Sequence, residues 1–152
     1  MAAIFSVNTN TSYSSSDYNG FRPNPGSEAF QWNSPPAGVA MILADGTSSP
    51  KIEPRKFPTL EACAQATKQD QYSVLVDYDV FMKVTKLDGK NLATVQRLYN
   101  AEDFDFRLRP GSAAVDRGVA LPNVTDGFTG QAPDLGALEV GRPAPIYGPR
   151  PR

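Results

Sequence analysis

The chain has 152 residues, long enough to bury a core as one domain, and its 15 basic against 16 acidic residues leave a net charge of −1, which gives it no electrostatic pull toward nucleic acid or an anionic membrane. Histidine is absent and Cys63 is the only cysteine. That excludes Ser-His-Asp and Cys-His nucleophilic systems, His-ligated zinc, Cys-based metal sites and an internal disulfide. Proline, at 14 residues, is nearly twice its usual share of about 5%, so much of the chain is expected to turn rather than run in long elements.

In chain order, residues 2–7 (AAIFSV) are an apolar run with no cap before it, and predict a strand. Residues 12–21 end in Asp17-Tyr18-Asn19-Gly20, an Asn-Gly turn signal. Alternation over 29–32 places Phe30 and Trp32 on one face of a strand and Gln31 on the other. Residues 38–43 (GVAMIL) form a short apolar run that stops at Asp45-Gly46, and 47–55 read as a polar loop. A helix is predicted over 58–66, near 59–67 once its cap is counted. Thr59 is the N-cap, and Leu60, Cys63, Ala64 and Thr67 fall at helical spacing to form a narrow small-residue stripe, with Glu61 and Gln65 outside it. Cys63 is then a buried, inert thiol. Residues 73–76 and 80–84 predict two strands meeting at the corner Asp77-Tyr78-Asp79, and 87–91 (LDGKN) predict a turn. Residues 93–99 fit either a strand or one helical turn. Over 103–108, Phe104, Phe106 and Leu108 alternate as one face of a strand.

The most constrained stretch is 105–139, DFRLRPGSAAVDRGVALPNVTDGFTGQAPDLGALE, in which a turn signal recurs roughly every six to ten residues. Its order Leu-x-Pro-Gly-Ser-x-Ala-x-Asp-x-Gly, then Asp-Gly-Phe-x-Gly and Ala-Pro-Asp-Leu-Gly-Ala-x-Glu, resembles the closing segment of bacterial secreted right-handed parallel β-helix proteins, the pectate-lyase-like superfamily. Two upstream stretches carry weaker likeness. One is Asp17-Tyr18-Asn19-Gly20 followed by Arg22-Pro23-Asn24. The other is ATKQDQYS at 66–73, where Lys68 and Tyr72 stand in place of the family's Gly and His. The resemblance implies a mainly β chain: terminal parallel β-helix coils with inserted loops and one short helix over 1–107, and an irregular capping segment with an extended tail over 108–152, together one structural unit. Within the tail, Ile146 and Tyr147 are expected to pin the chain to the body. The resemblance also implies a secreted, extracellular setting, with any signal peptide and earlier coils lying upstream of this chain.

Three groups of residues could carry chemistry. Asp77 with Asp79, and Asp103 with Asp105, have the i, i+2 spacing that puts two carboxylates on one strand face, where hard oxygens could hold Ca²⁺. Lyases of the resembled family use such a calcium to acidify a uronate, with Arg or Lys as base, which brings in Arg97 and Arg107. The plainer role for corner aspartates is to accept backbone hydrogen bonds. In the cap, Asp116, Gly118, Asp126, Gly130, Asp134, Gly136 and Glu139 read as turn chemistry, with glycines permitting positive φ. Tyr18, Phe21, Phe30 and Trp32 could stack sugar rings, or could be core.

Two functions from different classes follow. The first is a non-catalytic coil-and-cap portion of a secreted protein associated with polysaccharide, needing no cofactor. The second is a polysaccharide lyase or glycoside hydrolase using Asp77, Asp79, Arg97 or Arg107. The expected partners are earlier coils of a longer chain or a second copy, joined through the strand edge at 2–7, and a polysaccharide.

Overall fold

The computed structural model describes residues 5–8, 13–24, 26, 28–35, 55–86 and 88–143. The apolar run at 38–43, the loop at 47–54 and the tail with Ile146 and Tyr147 lie outside the described residues. Two compact units divide the chain, Met1–Leu75 and Val76–Arg152. The boundary expected at 107/108 falls inside the second.

In the first unit, alternation in FQWN forms a strand with Phe30 and Trp32 buried and Gln31 half-buried. This strand, β3 (Phe30–Asn33), is central in a sheet of order β1-β3-β4 with β1 (Phe5–Asn8) and β4 (Lys56–Phe57). β1 pairs parallel with β3, Phe5 opposite Phe30, and β4 pairs antiparallel, Phe57 opposite Phe30. A separate parallel pair joins β2 (Gly20–Phe21) to β5 (Val74–Leu75). The helix α1 (Leu60–Thr67) starts where Thr59 Oγ1 accepts from the Ala62 N–H at 3.1 Å. It ends at Lys68, which takes φ 60° in the left-handed cap position that favours glycine, its N–H donating to the Ala64 carbonyl. Leu60 and Cys63 of the small-residue stripe join Ala29 and Phe30 in one buried cluster, with Phe5, Phe21 and Phe57 against it. Glu61 and Gln65 are exposed.

In the second unit a 3₁₀ turn, Tyr78–Val80, leads into β6 (Phe81–Lys83). Residues 93–99 resolve toward the helical alternative, since Leu92–Val95 form one turn, α2, with no buried side chain. β7 (Asp105–Leu108) pairs antiparallel with β6, Phe81 opposite Leu108 and Lys83 opposite Asp105. Two residues on β7, Phe106 and Arg107, thus stand opposite one on β6, Met82, which is a β-bulge. The bulge breaks the alternation that the sequence suggests: Leu108 is buried, while Phe106 is 58% exposed. Val80, Leu108 and Ala114 form this unit's core, packed by Val76, Phe81, Val115, Leu135 and Val140.

The parallel β-helix expected from the sequence is not the fold. A β-helix stacks coil on coil in continuous parallel ladders, whereas among the described residues strands of two to four residues form three small sheets with both parallel and antiparallel pairs. The two strands expected to share a coil separate as well, β5 pairing with β2 and β6 with β7. Closely spaced prolines, glycines and Asx turns leave each segment too short to extend a ladder. From residue 109 to residue 143 the described chain has no helix and no strand.

Candidate functional site

The irregular segment of the second unit is held by carboxylates that accept backbone N–H groups. Asp116 Oδ1 accepts from Gln131 and Ala132 at 2.7 and 3.1 Å. Asp134 takes Asp116 N–H on one oxygen and Val140 N–H on the other. Glu139 takes Thr129 N–H and Asp134 N–H on its two oxygens, and Asp126 accepts from Asn123 N–H. Such bonds do for a loop what a ladder does for a strand, since buried backbone donors must be satisfied somewhere. The glycines differ in their reasons. Gly130 has φ 92°, and a Cβ there would stand 2.3 Å from Asp116 Oδ1. Gly118 corrects the expectation of positive φ: it lies outside the left-handed region, and it is glycine because a Cβ would stand 2.8 Å from the Pro133 carbonyl oxygen. Gly136 lies against the Leu108 side chain.

Asp77, Asp103 and Asp105 of the two candidate pairs are engaged with the chain itself. Asp77 caps the 3₁₀ turn by accepting from Tyr78 N–H and lies 3.7 Å from Lys86 Nζ, so Asp77 and Asp79 never share a strand face. Asp103 accepts from Asn100 N–H, while Asp105 binds Arg107 through two oxygens, one at 2.6 Å. The Arg107 guanidinium draws the Asp105 carboxyl down to about 2. No three metal-ligating side chains cluster among the described residues. Arg97 lies over the Tyr99 ring at 5.2 Å.

Among the described residues of the second unit, two grooves bear on the candidate residues. The larger, about 420 Å³, is lined by Asp77, Tyr78, Asp79 and Phe81 together with Lys83, Lys86 and Arg109. The smaller, about 250 Å³, includes Arg107, Glu139 and Arg142. The proposed catalytic residues are therefore dispersed, with Asp77 and Asp79 on one groove, Arg107 on the other and Arg97 on neither.

The four aromatic candidates also separate. Phe30 and Trp32 are buried, and Phe21 meets Phe30 edge-on at 5.2 Å. Tyr18 instead stacks on Tyr72, with centroids 5.3 Å apart and planes within 10°. This pair sits at a corner that brings together the two stretches DYNG and ATKQDQYS. Asp17 Oδ1 accepts from Tyr18 N–H and Tyr72 N–H at 2.9 and 2.7 Å. Asp70, 1% exposed, accepts on Oδ1 from Ser16, Asn19 and Ser73 side chains at 2.9–3.0 Å. Its Oδ2 is buried with no hydrogen-bond partner, so one oxygen anchors the whole corner. Tyr18, Lys68 and Asp70 all have φ between 52° and 60°, each costing on the order of 1 kcal/mol or more that the surrounding bonds must offset. Sequence reasoning noted both stretches but missed their meeting, because the contacts join residues 51 to 55 positions apart. Asp70 and Ser73 within ATKQDQYS, polar residues beside a stretch of turn signals, were the available sign.

No family model, no curated protein and no solved structure matches this chain.

Proposed function

We propose that this chain is a non-catalytic module of a secreted protein that binds an acidic polysaccharide along the larger groove of its second unit. The observation that carries this is the groove's lining, which combines Lys83, Lys86 and Arg109 with Tyr78 and Phe81. Ammonium and guanidinium groups pair with uronate carboxylates, and aromatic faces take the C–H faces of the sugars between them. The exposed Lys86–Asp77 pair at 3.7 Å is weak enough to yield to such a ligand. The non-catalytic part rests on the other candidate carboxylates: Asp103, Asp105, Asp116, Asp126, Asp134 and Glu139 all accept hydrogen bonds that hold the chain. The secreted setting and the polysaccharide rest on the sequence resemblance of residues 108–139.

Native electrophoresis through gels containing pectin, alginate or an uncharged β-glucan tests this. The acidic polymers are expected to retard the chain, less so at high salt, and Lys83→Ala with Arg109→Ala is expected to abolish the effect. Equal mobility in all gels would overturn the reading. A second reading, a lyase, is favoured by Asp77 and Asp79 lining the same groove as Lys83 and Arg109. Unsaturated uronate products that absorb in the ultraviolet, formed with Ca²⁺ and lost in Asp77→Ala, would establish it instead.

A further inference from the structure

We infer that Tyr18 and Tyr72 form a separate carbohydrate subsite in the first unit, in which the outer face of the Tyr72 ring stacks on a pyranose; this rests on the reading that the chain binds polysaccharide. Tyr72 is 63% exposed, yet it is not a loose surface ring. Its plane lies within 10° of Tyr18, and one carboxylate oxygen of Asp17 ties both backbones in place. Tyr18 holds a left-handed backbone that an aromatic side chain adopts only when its surroundings impose it. Rings that served only to fill the core would sit with Phe30, whose cluster lies in the same unit. Instead, the polar corner centred on Asp70 holds two parallel rings at the surface.

The flanking residues decide what such a platform can take. The residues on either side of the two tyrosines in the chain, Asp17, Asn19, Gln71 and Ser73, are all polar and reach solvent at least in part, with the apolar Leu75, 47% exposed, three positions beyond Tyr72. A protein interface draws on a contiguous apolar core with several anchors. A pyranose needs one aromatic face for its axial C–H groups and hydroxyl, amide or ammonium groups for its rim. Rigid orientation matters for the same reason, because a preorganised ring loses little freedom on binding.

The test uses the full chain with the same pectin, alginate and β-glucan gels, together with proton resonances of the tyrosine rings during titration with a galacturonate hexamer and a glucose hexamer. Tyr72→Ala is expected to weaken retardation about tenfold and Tyr72→Phe by no more than about twofold, since the stacking face is kept. In the unaltered chain the Tyr18 and Tyr72 ring resonances are expected to shift with at least one hexamer, a readout independent of how any variant folds. Retardation unchanged in Tyr72→Ala, with the ring resonances still, would overturn the subsite. If the Lys83→Ala, Arg109→Ala chain then lost binding, the groove reading would stand without it. Loss in Tyr72→Ala with the groove variant unaffected would support the subsite and overturn the groove. No binding and no shift with any glycan would overturn both.

Discussion

Individual side chains in this chain are fixed less by apolar burial than by which backbone groups they must serve or avoid. Gly130, Gly118 and Gly111 make a graded series. An added Cβ at Gly130 meets both a left-handed φ and the Asp116 carboxylate, at Gly118 it meets only the Pro133 carbonyl, and at Gly111 it meets only φ 74° with open space around it. Alanine is expected to cost most at Gly130 and least at Gly111, within a span of about 1 to 4 kcal/mol, as read from urea denaturation midpoints. Equal losses at all three would show that steric approach is irrelevant. Asp105 offers a pH test. Its carboxyl is held at about 2 in the folded chain, chiefly by the Arg107 side chain, so folding favours its ionised form. The stabilisation is therefore complete above roughly pH 4, where the unfolded carboxyl is also ionised, and is lost as pH falls through about 2. Arg107 is exposed and Asp105 half-buried, so solvent screens the pair and its contribution is small. The stability difference between the unaltered chain and Asp105→Asn is expected to vanish over that acid window and to shrink in high salt.

Among the elements, α1 was legible because local chemistry decides it. The Thr59 cap, the stripe of Leu60 and Cys63 and the exposed Glu61 and Gln65 all follow from spacing. Thr59→Ala is expected to cost about 1 kcal/mol, and Lys68→Gly to gain about 0.5–1 kcal/mol by relieving φ 60°. A Lys68→Gly chain no more stable than the original would mean that the cap residue is held by bonds its side chain makes. Burial pushes the Cys63 thiol up, so it is expected to react with thiol reagents only after denaturant opens the helix from β3 and β4. The sheets were not legible in this way. The strand at Phe30 and Trp32 shows in its alternation, but the parallel sense of β1 with β3 and the antiparallel sense of β4 are set by long-range packing. At β7 the alternation of Phe104, Phe106 and Leu108 misled, because the bulge opposite Met82 turns Phe106 outward. The Asp17–Asp70 corner was hidden for a related reason: each half carries its own turn residues, and nothing local says that one carboxylate serves both.

At the scale of the whole molecule, β1 is the longer of the two edge strands in the sheet of order β1-β3-β4, four residues against two in β4. Phe5 N–H donates inward to the Ala29 carbonyl at 3.2 Å. In an extended strand the next residue's groups face the other way, so the N–H and carbonyl of Ser6 point away from β3, and Ser6 is exposed. Such an edge is a template for a second strand, and two copies meeting about a twofold axis would cover both edges at once. The edge is only four residues long, so the association is expected to be weak and concentration-dependent. Light scattering at tens of micromolar is expected to give a mass above 16.4 kDa that falls toward the monomer on dilution. Ser6→Pro is the informative variant. It removes an outward donor, leaves the inward bond of Phe5 intact, and suits an edge strand whose N–H faces solvent. It should therefore abolish association while leaving the fluorescence of Trp32, buried on the neighbouring β3, unchanged. A monodisperse monomer at every concentration would show that the edge is covered within the chain, and association that persists in Ser6→Pro would place the contact elsewhere.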